Sequence, residues 1–194
     1  LIASIAAGGL FATTDASAAT KKCMFVSSYN RGYEHSDAIE RGVRTVLAGH
    51  CEVRQFDMDA KRKPGEADLK QKGQEARAII ESWQPDIVIT ADDEAAKYLV
   101  QPFYKDNKLP FVFCGLNWTA AEYGFPYSNA TGMIEVAPIV PMMERAKDIV
   151  PAFTRAFYIG SDTLTEEKNL KRFQSAAERL GFKLDFKLVP STNA

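Results

Sequence analysis

One stretch, Pro85-Asp86-Ile87-Val88-Ile89-Thr90-Ala91-Asp92-Asp93-Glu94, constrains the fold of this chain more than any other. Ile87, Val88 and Ile89 are apolar in a row rather than alternating, and Pro85 bounds them on one side. A continuous β-branched run between breakers suits a strand buried on both faces, as in a parallel sheet. Three carboxylates follow, ahead of a helical pattern through Ala95, Ala96, Leu99 and Val100. Acidic side chains at a helix start satisfy free N–H groups and oppose the dipole. A buried strand that opens at its carboxyl end onto such a turn is where open α/β sheets hold ligands.

The rest of the chain repeats this unit. Residues 23–28, 52–58, 109–115, 132–136, 153–160 and 182–188 read as further strands. Between them, Ile39, Val43, Val46 and Leu47 form one helical stripe behind Ser36 or Asp37 as cap. A longer helix over 66–83 carries Leu69, Ala76, Ile79, Ile80 and Trp83, and Pro85 stops it. Another spans 138–150, and Thr163-x-x-Glu166 is a capping box for a helix that Gly181 ends. Strict alternation predicts an α/β fold with a doubly wound parallel sheet and right-handed crossovers. Five strands complete one layer near 135–138, so residues 19–136 are expected as a first lobe. Residues 137–194 then begin a second, incomplete lobe, and the chain reads as a fragment.

Residues 1–18 differ in kind. An apolar, small-residue run through Ala12 leads to Ala16-Ser17-Ala18, the pattern of a secretory signal with cleavage before Ala19. The run is too short to span a membrane. The mature protein is therefore expected outside the cytoplasm. A formal net charge of −1 gives no basic excess for nucleic acid. Two histidines and three scattered cysteines, with no C-x-x-C or H-E-x-x-H, speak against a zinc centre. Asp92-Asp93 is no phospho-acceptor site, because that chemistry needs an acidic pair after the first strand and Ser27-Ser28-Tyr29 stands there. No G-x-S-x-G elbow supports a serine hydrolase. Neither a cofactor nor covalent catalysis is expected.

Several segments resemble a known family: Val26-Ser27-Ser28-Tyr29-Asn30-Arg31-Gly32-Tyr33, Ser36-Asp37-x-Ile39-Glu40-Arg41-Gly42-Val43, Pro85-Asp86-Ile87-Val88, Asp92-Asp93, and Pro110-Phe111-Val112-Phe113-Cys114-Gly115-Leu116-Asn117-Trp118. In this order they are similar to bacterial ABC-transporter substrate-binding proteins of the type I periplasmic-binding-protein fold, in the branch with tryptophan- and tyrosine-binding members. The resemblance implies strand order 2-1-3-4-5 in lobe one and a small organic ligand, an amino acid among the candidates, closed between two lobes. It also implies a membrane permease as partner and a periplasmic monomer. The same fold serves as the exported ligand-sensing domain of signalling receptors, which is the alternative reading. Because most of the second lobe is missing, weak binding or none is expected of this chain alone.

With that strand order, Ser28, Tyr29, Asn30 and Tyr33 after strand one and Asp92 and Asp93 after strand three flank one crevice. Hydroxyls and helix N–H groups suit a ligand carboxylate, and a carboxylate suits an ammonium. The bland alternative is that Asp92 and Asp93 only cap a helix. Asn117 and Trp118 follow strand four, and Trp118 offers a flat face and an N–H donor, or else plugs the rim. Glu135 stands at the crossing between lobes, as a cleft carboxylate or a solvated strand end. Cys23 and Cys51 come at the amino ends of neighbouring strands, within disulfide reach if their side chains face each other. Cys114 is expected as a free thiol in a buried strand.

Overall fold

The computed structural model describes residues 20–190. The signal-like stretch and its cleavage point before Ala19 lie outside the described residues. Strands β1 (Lys21–Ser27), β2 (Cys51–Asp57), β3 (Ile87–Ala91), β4 (Phe111–Asn117) and β5 (Ala130–Glu135) form one sheet in the order β2-β1-β3-β4-β5. All its pairs are parallel. Between strands run α1 (Glu34–Leu47), α2 (Glu66–Trp83) and a helical segment after β3. Beyond β5 come α5 (Ile139–Ile149), β6 (Arg155–Ser161), α6 (Leu164–Leu180) and β7 (Lys183–Val189), with β6 and β7 paired in a separate two-stranded sheet. Among the described residues no helix is long and apolar enough to cross a membrane.

The main core lies between the sheet and α2. Met24, Val26 and Val88 meet Leu69, Ala76 and Ile80 there, all buried. The helical segment after β3 closes the same core and is not regular. α3 (Asp92–Ala95) runs into a π-helical turn (Ala96–Val100), then α4 (Gln101–Phe103). Pro102 explains the wide turn: it has no N–H to give the carbonyl of Tyr98 and its ring crowds that oxygen. α2 passes close over this carbonyl at Gly73, where a Cβ would stand 2.0 Å from the Tyr98 oxygen. Only glycine lets the two helices meet there.

α1 begins at Glu34, with Tyr33 at the cap position and no side-chain cap, so neither Ser36 nor Asp37 caps it as the sequence suggested. Asp37 instead sits in the first turn and accepts from the Gly32 N–H at 3.0 Å. The helix meets the sheet partly through polar contacts, Arg44 and Glu40 both bonding Gln55. Val46, expected on the inner stripe, is 73% exposed as a result.

Cys23 and Cys51 form a disulfide between β1 and β2 with Cα atoms 6.0 Å apart. Their strands are offset by two positions, Lys21 standing opposite Cys51. Cys114 is free but only half-buried, on the sheet face away from the main core. Thr163 caps α6 by accepting from the Glu166 N–H at 3.4 Å. The return half of the expected capping box is absent, because the Glu166 carboxylate accepts from the Tyr158 hydroxyl instead.

Candidate functional site

Strand register assembles the site. Ser27 pairs with Ala91, and Ala91 with Cys114, so the following residues Ser28, Asp92 and Gly115 stand in one row at the carboxyl edge. The turns there are tight. Asp92 has φ +69°, Gly115 +70° and Trp118 +70°. A left-handed φ is an outlier for a bulky side chain and costs on the order of 1–3 kcal/mol. At Gly115 a Cβ would lie 2.9 Å from Asp92 Oδ1, so glycine makes room for that carboxylate.

The bland alternative, that Asp92 and Asp93 only cap the following helix, does not hold. The cap position is Ala91, without a side-chain bond. The N–H of Ala95 donates across the sheet to Ser28 Oγ at 2.9 Å, and that hydroxyl donates to the Ala91 carbonyl at 2.6 Å. Ser28 is therefore fully buried and used within the turn rather than facing the opening.

Asp93 is likewise turned inward and has no exposed surface. It accepts from Asn117 Nδ2 at 2.6 Å, from the Tyr123 hydroxyl at 2.7 Å and from Lys168 Nζ at 2.8 Å. Burial, and then the charge of Asp93, push the Tyr123 hydroxyl pKa strongly upward, so it stays a donor. Asn117 is thus held by Asp93. Lys168 belongs to α6, and its buried ammonium joins the second region of the chain to the first.

Two further bonds make the same crossing. Tyr29 Oη lies 2.7 Å from Thr165 Oγ1, and Trp118 Nε1 donates to Asn169 Oδ1 at 3.0 Å. The first turns of α6 therefore lie over the carboxyl edge of the sheet. Trp118 also packs on the second core, formed by Ile139, Met143, Ala176, Ala177 and Phe182. Tyr33 stands edge-on to Tyr29, centroids 5.5 Å apart, and is 39% exposed. The Lys61 ammonium lies 4.4 Å over the Tyr29 ring. Asn30 bonds the Arg31 carbonyl at the rim. Glu135 has an exposed side chain, while its carbonyl accepts from the Trp118 N–H at 2.8 Å.

Two carboxylates in the row are buried and incompletely partnered. Asp92 is 2% exposed; its Oδ1 bonds His35 Nε2 at 3.1 Å, while Oδ2 has no partner among the described residues. Burial raises the Asp92 pKa against the opposing pull of His35. The same bond to Asp92 is the main reason that the His35 pKa is raised. Glu94, also 2% exposed, has no partner at Oε2 among the described residues. Burial, aided by Asp92 and Asp93, holds its carboxyl up at about 7. Sequence reading passed over Glu94, His35 and Lys168. A carboxylate beside Asp92-Asp93 was the only signal available, and it pointed equally to a solvated helix turn.

Two cavities lie between the sheet edge and the second region. One, of about 340 Å³, is lined by Glu94, Lys97 and Tyr98 on one side and Thr163, Leu164 and Glu167 on the other. The other, of about 540 Å³, has Asn30, Tyr33 and Lys61 facing Ser161, Glu166 and Val189. Trp118 borders neither and instead faces Lys171 and Arg172 of α6. The expected site residues thus share one edge, but α6 divides them. Among the described residues no group of three or more His, Cys, Asp or Glu is placed to hold a metal ion.

No protein-family profile and no curated protein matches the chain by sequence. Solved structures match it in fold. An ABC domain in complex with L-Trp from Streptococcus pneumonia superposes with a TM-score of 0.67 at 16% identity, over 87% of this chain and 57% of that one. A solute-binding protein of an ABC transporter from Rhodopseudomonas palustris BisB5, in complex with 3,4-dihydroxybenzoic acid, gives 0.62 at 14% identity, over 90% and 48%. A leucine-binding protein from Thermotoga maritima gives 0.63 at 12%, over 90% and 50%. The chain shares the α/β fold of these structures over the matched part and spans about half their length.

Proposed function

We propose that this chain is part of an exported solute-binding protein that captures a small organic ligand, with amino acids among the candidates, between two lobes. In this reading it hands the ligand to the membrane permease of an ABC transporter, works as a monomer and performs no covalent chemistry. Residues 19–136 supply the first lobe and 137–194 the start of the second. The observation that carries the reading is the cover of α6 over the sheet's carboxyl edge, which leaves two cavities lined from both sides. A ligand enclosed there loses water, and each hydrogen bond to it strengthens in the lower dielectric. The left-handed turns at Asp92 and Trp118 support the same reading, since strain of this kind clusters at ligand clamps.

Asn30 and Tyr33, which line the larger cavity, are the proposed contacts on the first-lobe side, with Tyr29 and Asp92 buried behind them and Trp118 and Glu135 at the crossing. Ser28, Asp93 and Asn117 hold those contacts in place. A thermal-unfolding screen against amino acids, aromatic acids and amines tests the proposal. A true ligand at a hundred times its Kd stabilises the protein by about 2.7 kcal/mol and raises the midpoint accordingly. Amide exchange should then slow in α6, which covers the edge. A complete panel without a single midpoint shift, repeated on a chain carrying the whole second lobe, would sink the proposal.

A further inference from the structure

The smaller cavity carries a charge argument that the fold does not. Its lining holds Glu94, Asp162 and Glu167 against one ammonium, that of Lys97. Leu69, Tyr98 and Leu164 supply apolar wall. Glu94 is the decisive member, because its Oε2 is shut off from water and has no hydrogen-bond partner among the described residues. Leaving a buried carboxylate oxygen without a donor is costly, so such groups call for an explanation. A donor brought in by a ligand supplies one, and a cationic donor supplies the strongest.

Resting on the solute-binding reading, we infer that the ligand carries a positively charged nitrogen on an apolar body, and that Glu94 receives this nitrogen in the 340 Å³ cavity. Most other charges facing Glu94 are also acidic. Asp92 and Asp93 lie on its own segment and raise its proton affinity, and Lys61 from the loop after β2 opposes them. Tyr29, on the loop after β1, feels the Glu94 charge in turn. An arriving ammonium replaces the proton that burial keeps on Glu94 at about pH 7. Binding is then accompanied by proton release.

Calorimetry with three probes of one shape tests this: phenethylamine, 2-phenylethanol and 3-phenylpropanoate. Phenethylamine should bind at least about tenfold tighter than either of the others, which corresponds to 1.4 kcal/mol or more. Glu94→Gln keeps the size of the side chain, and its melting midpoint checks that the variant is folded. In that variant the preference for the amine should shrink to within about twofold. Near pH 7, heats in buffers of unequal ionisation enthalpy should show proton release for the parent protein and none for Glu94→Gln. An alcohol or acid that binds as well as the amine overturns the inference, and so does an amine preference that survives Glu94→Gln. If the alcohol or acid binds and slows amide exchange in α6, the solute-binding reading stands and only the charge assignment falls. If no probe of any charge binds to a chain carrying the whole second lobe, and none of the wider panel does, both fall.

Discussion

β1 and β6 are both apolar strands of seven residues, yet they end in different surroundings. From Cys23 to Ser27 every residue of β1 is buried, whereas exposure alternates along β6, leaving Phe157 60% and Ile159 69% accessible. Neighbours make the difference. β1 has β2 on one side and β3 on the other. Among the described residues β6 pairs with β7 alone, and α6 covers one of its faces through Phe173 against Tyr158. An apolar run therefore identifies a strand, while the number of layers around it decides how much of the run is buried. The second region holds a small core of its own, and much of its attachment is polar: Lys168 to Asp93, Thr165 to Tyr29 and Asn169 to Trp118.

The largest test of this contrast is the buried ion pair. Lys168→Met removes the ammonium and leaves Asp93, with no exposed surface, holding only neutral donors. Breaking one side of a buried pair costs about 3–5 kcal/mol. Urea unfolding should show that loss, and amide exchange should speed up first in α6. A uniform change across both regions would mean that they do not separate as described. Asp93→Asn in the same background should recover part of the loss, because the uncompensated charge is then gone.

The disulfide acts on the first region alone. Replacing Cys23 and Cys51 together by serine opens a loop closed across 28 positions, which chain entropy values at about 3–4 kcal/mol. The effect should appear as a lower urea midpoint with no change in α6 exchange relative to the rest. An equal loss of protection in α6 would show that the regions unfold as one unit.

Glu94 gives a pH test of smaller size. Its folded pKa of about 7 lies above the ordinary glutamate value of 4.5, so folding binds its proton more tightly. The stability it contributes is fully present below pH 4.5 and is lost as pH rises through about 7. Between pH 5.5 and 8 the ligand-free protein should lose roughly 1–3 kcal/mol from this group, given 1.36 kcal/mol per pKa unit. Glu94→Gln should flatten the profile in that window. An unchanged slope would place the titration on another group, His35 first.

Much of this architecture is legible in the residues themselves. The run Ile87-Val88-Ile89 does mark a central strand, the long helix does span Glu66–Trp83, and the strands take the order 2-1-3-4-5. These features rest on local pattern or on a family likeness spread along the chain. The site was less legible, for a physical reason. Whether Asp92, Asp93 or Glu94 faces inward depends on a left-handed φ at Asp92 and on the π-helical turn that Pro102 enforces further on. Neither is visible in an acidic triplet. Lys168 sits on α6 among Glu167, Lys171 and Arg172, and only the docking of α6 on the sheet edge distinguishes it from those solvated charges.

The smallest expected effect, at Ile159, tests the contrast most sharply when it is set beside an aliphatic side chain of equal size in the first region. Leu99, in the π-helical turn, has no exposed surface, while Ile159, on the open face of β6, is 69% exposed. Leu99→Ala removes buried methyl groups and leaves a void, at about 2–5 kcal/mol. Ile159→Ser takes away a side chain already in water, and a surface change of that kind stays within about 0.5 kcal/mol. Both variants can be read by urea unfolding against the same parent. If Ile159→Ser cost as much as Leu99→Ala, the open face of β6 would have to be covered in solution, by a second copy or by another part of a longer chain. Sedimentation at increasing concentration separates those cases, since self-association rises with concentration and cover from the same chain does not. A small effect at Ile159 and a large one at Leu99 would confirm that equal hydrophobicity in sequence becomes unequal stability once the layers around each strand are counted.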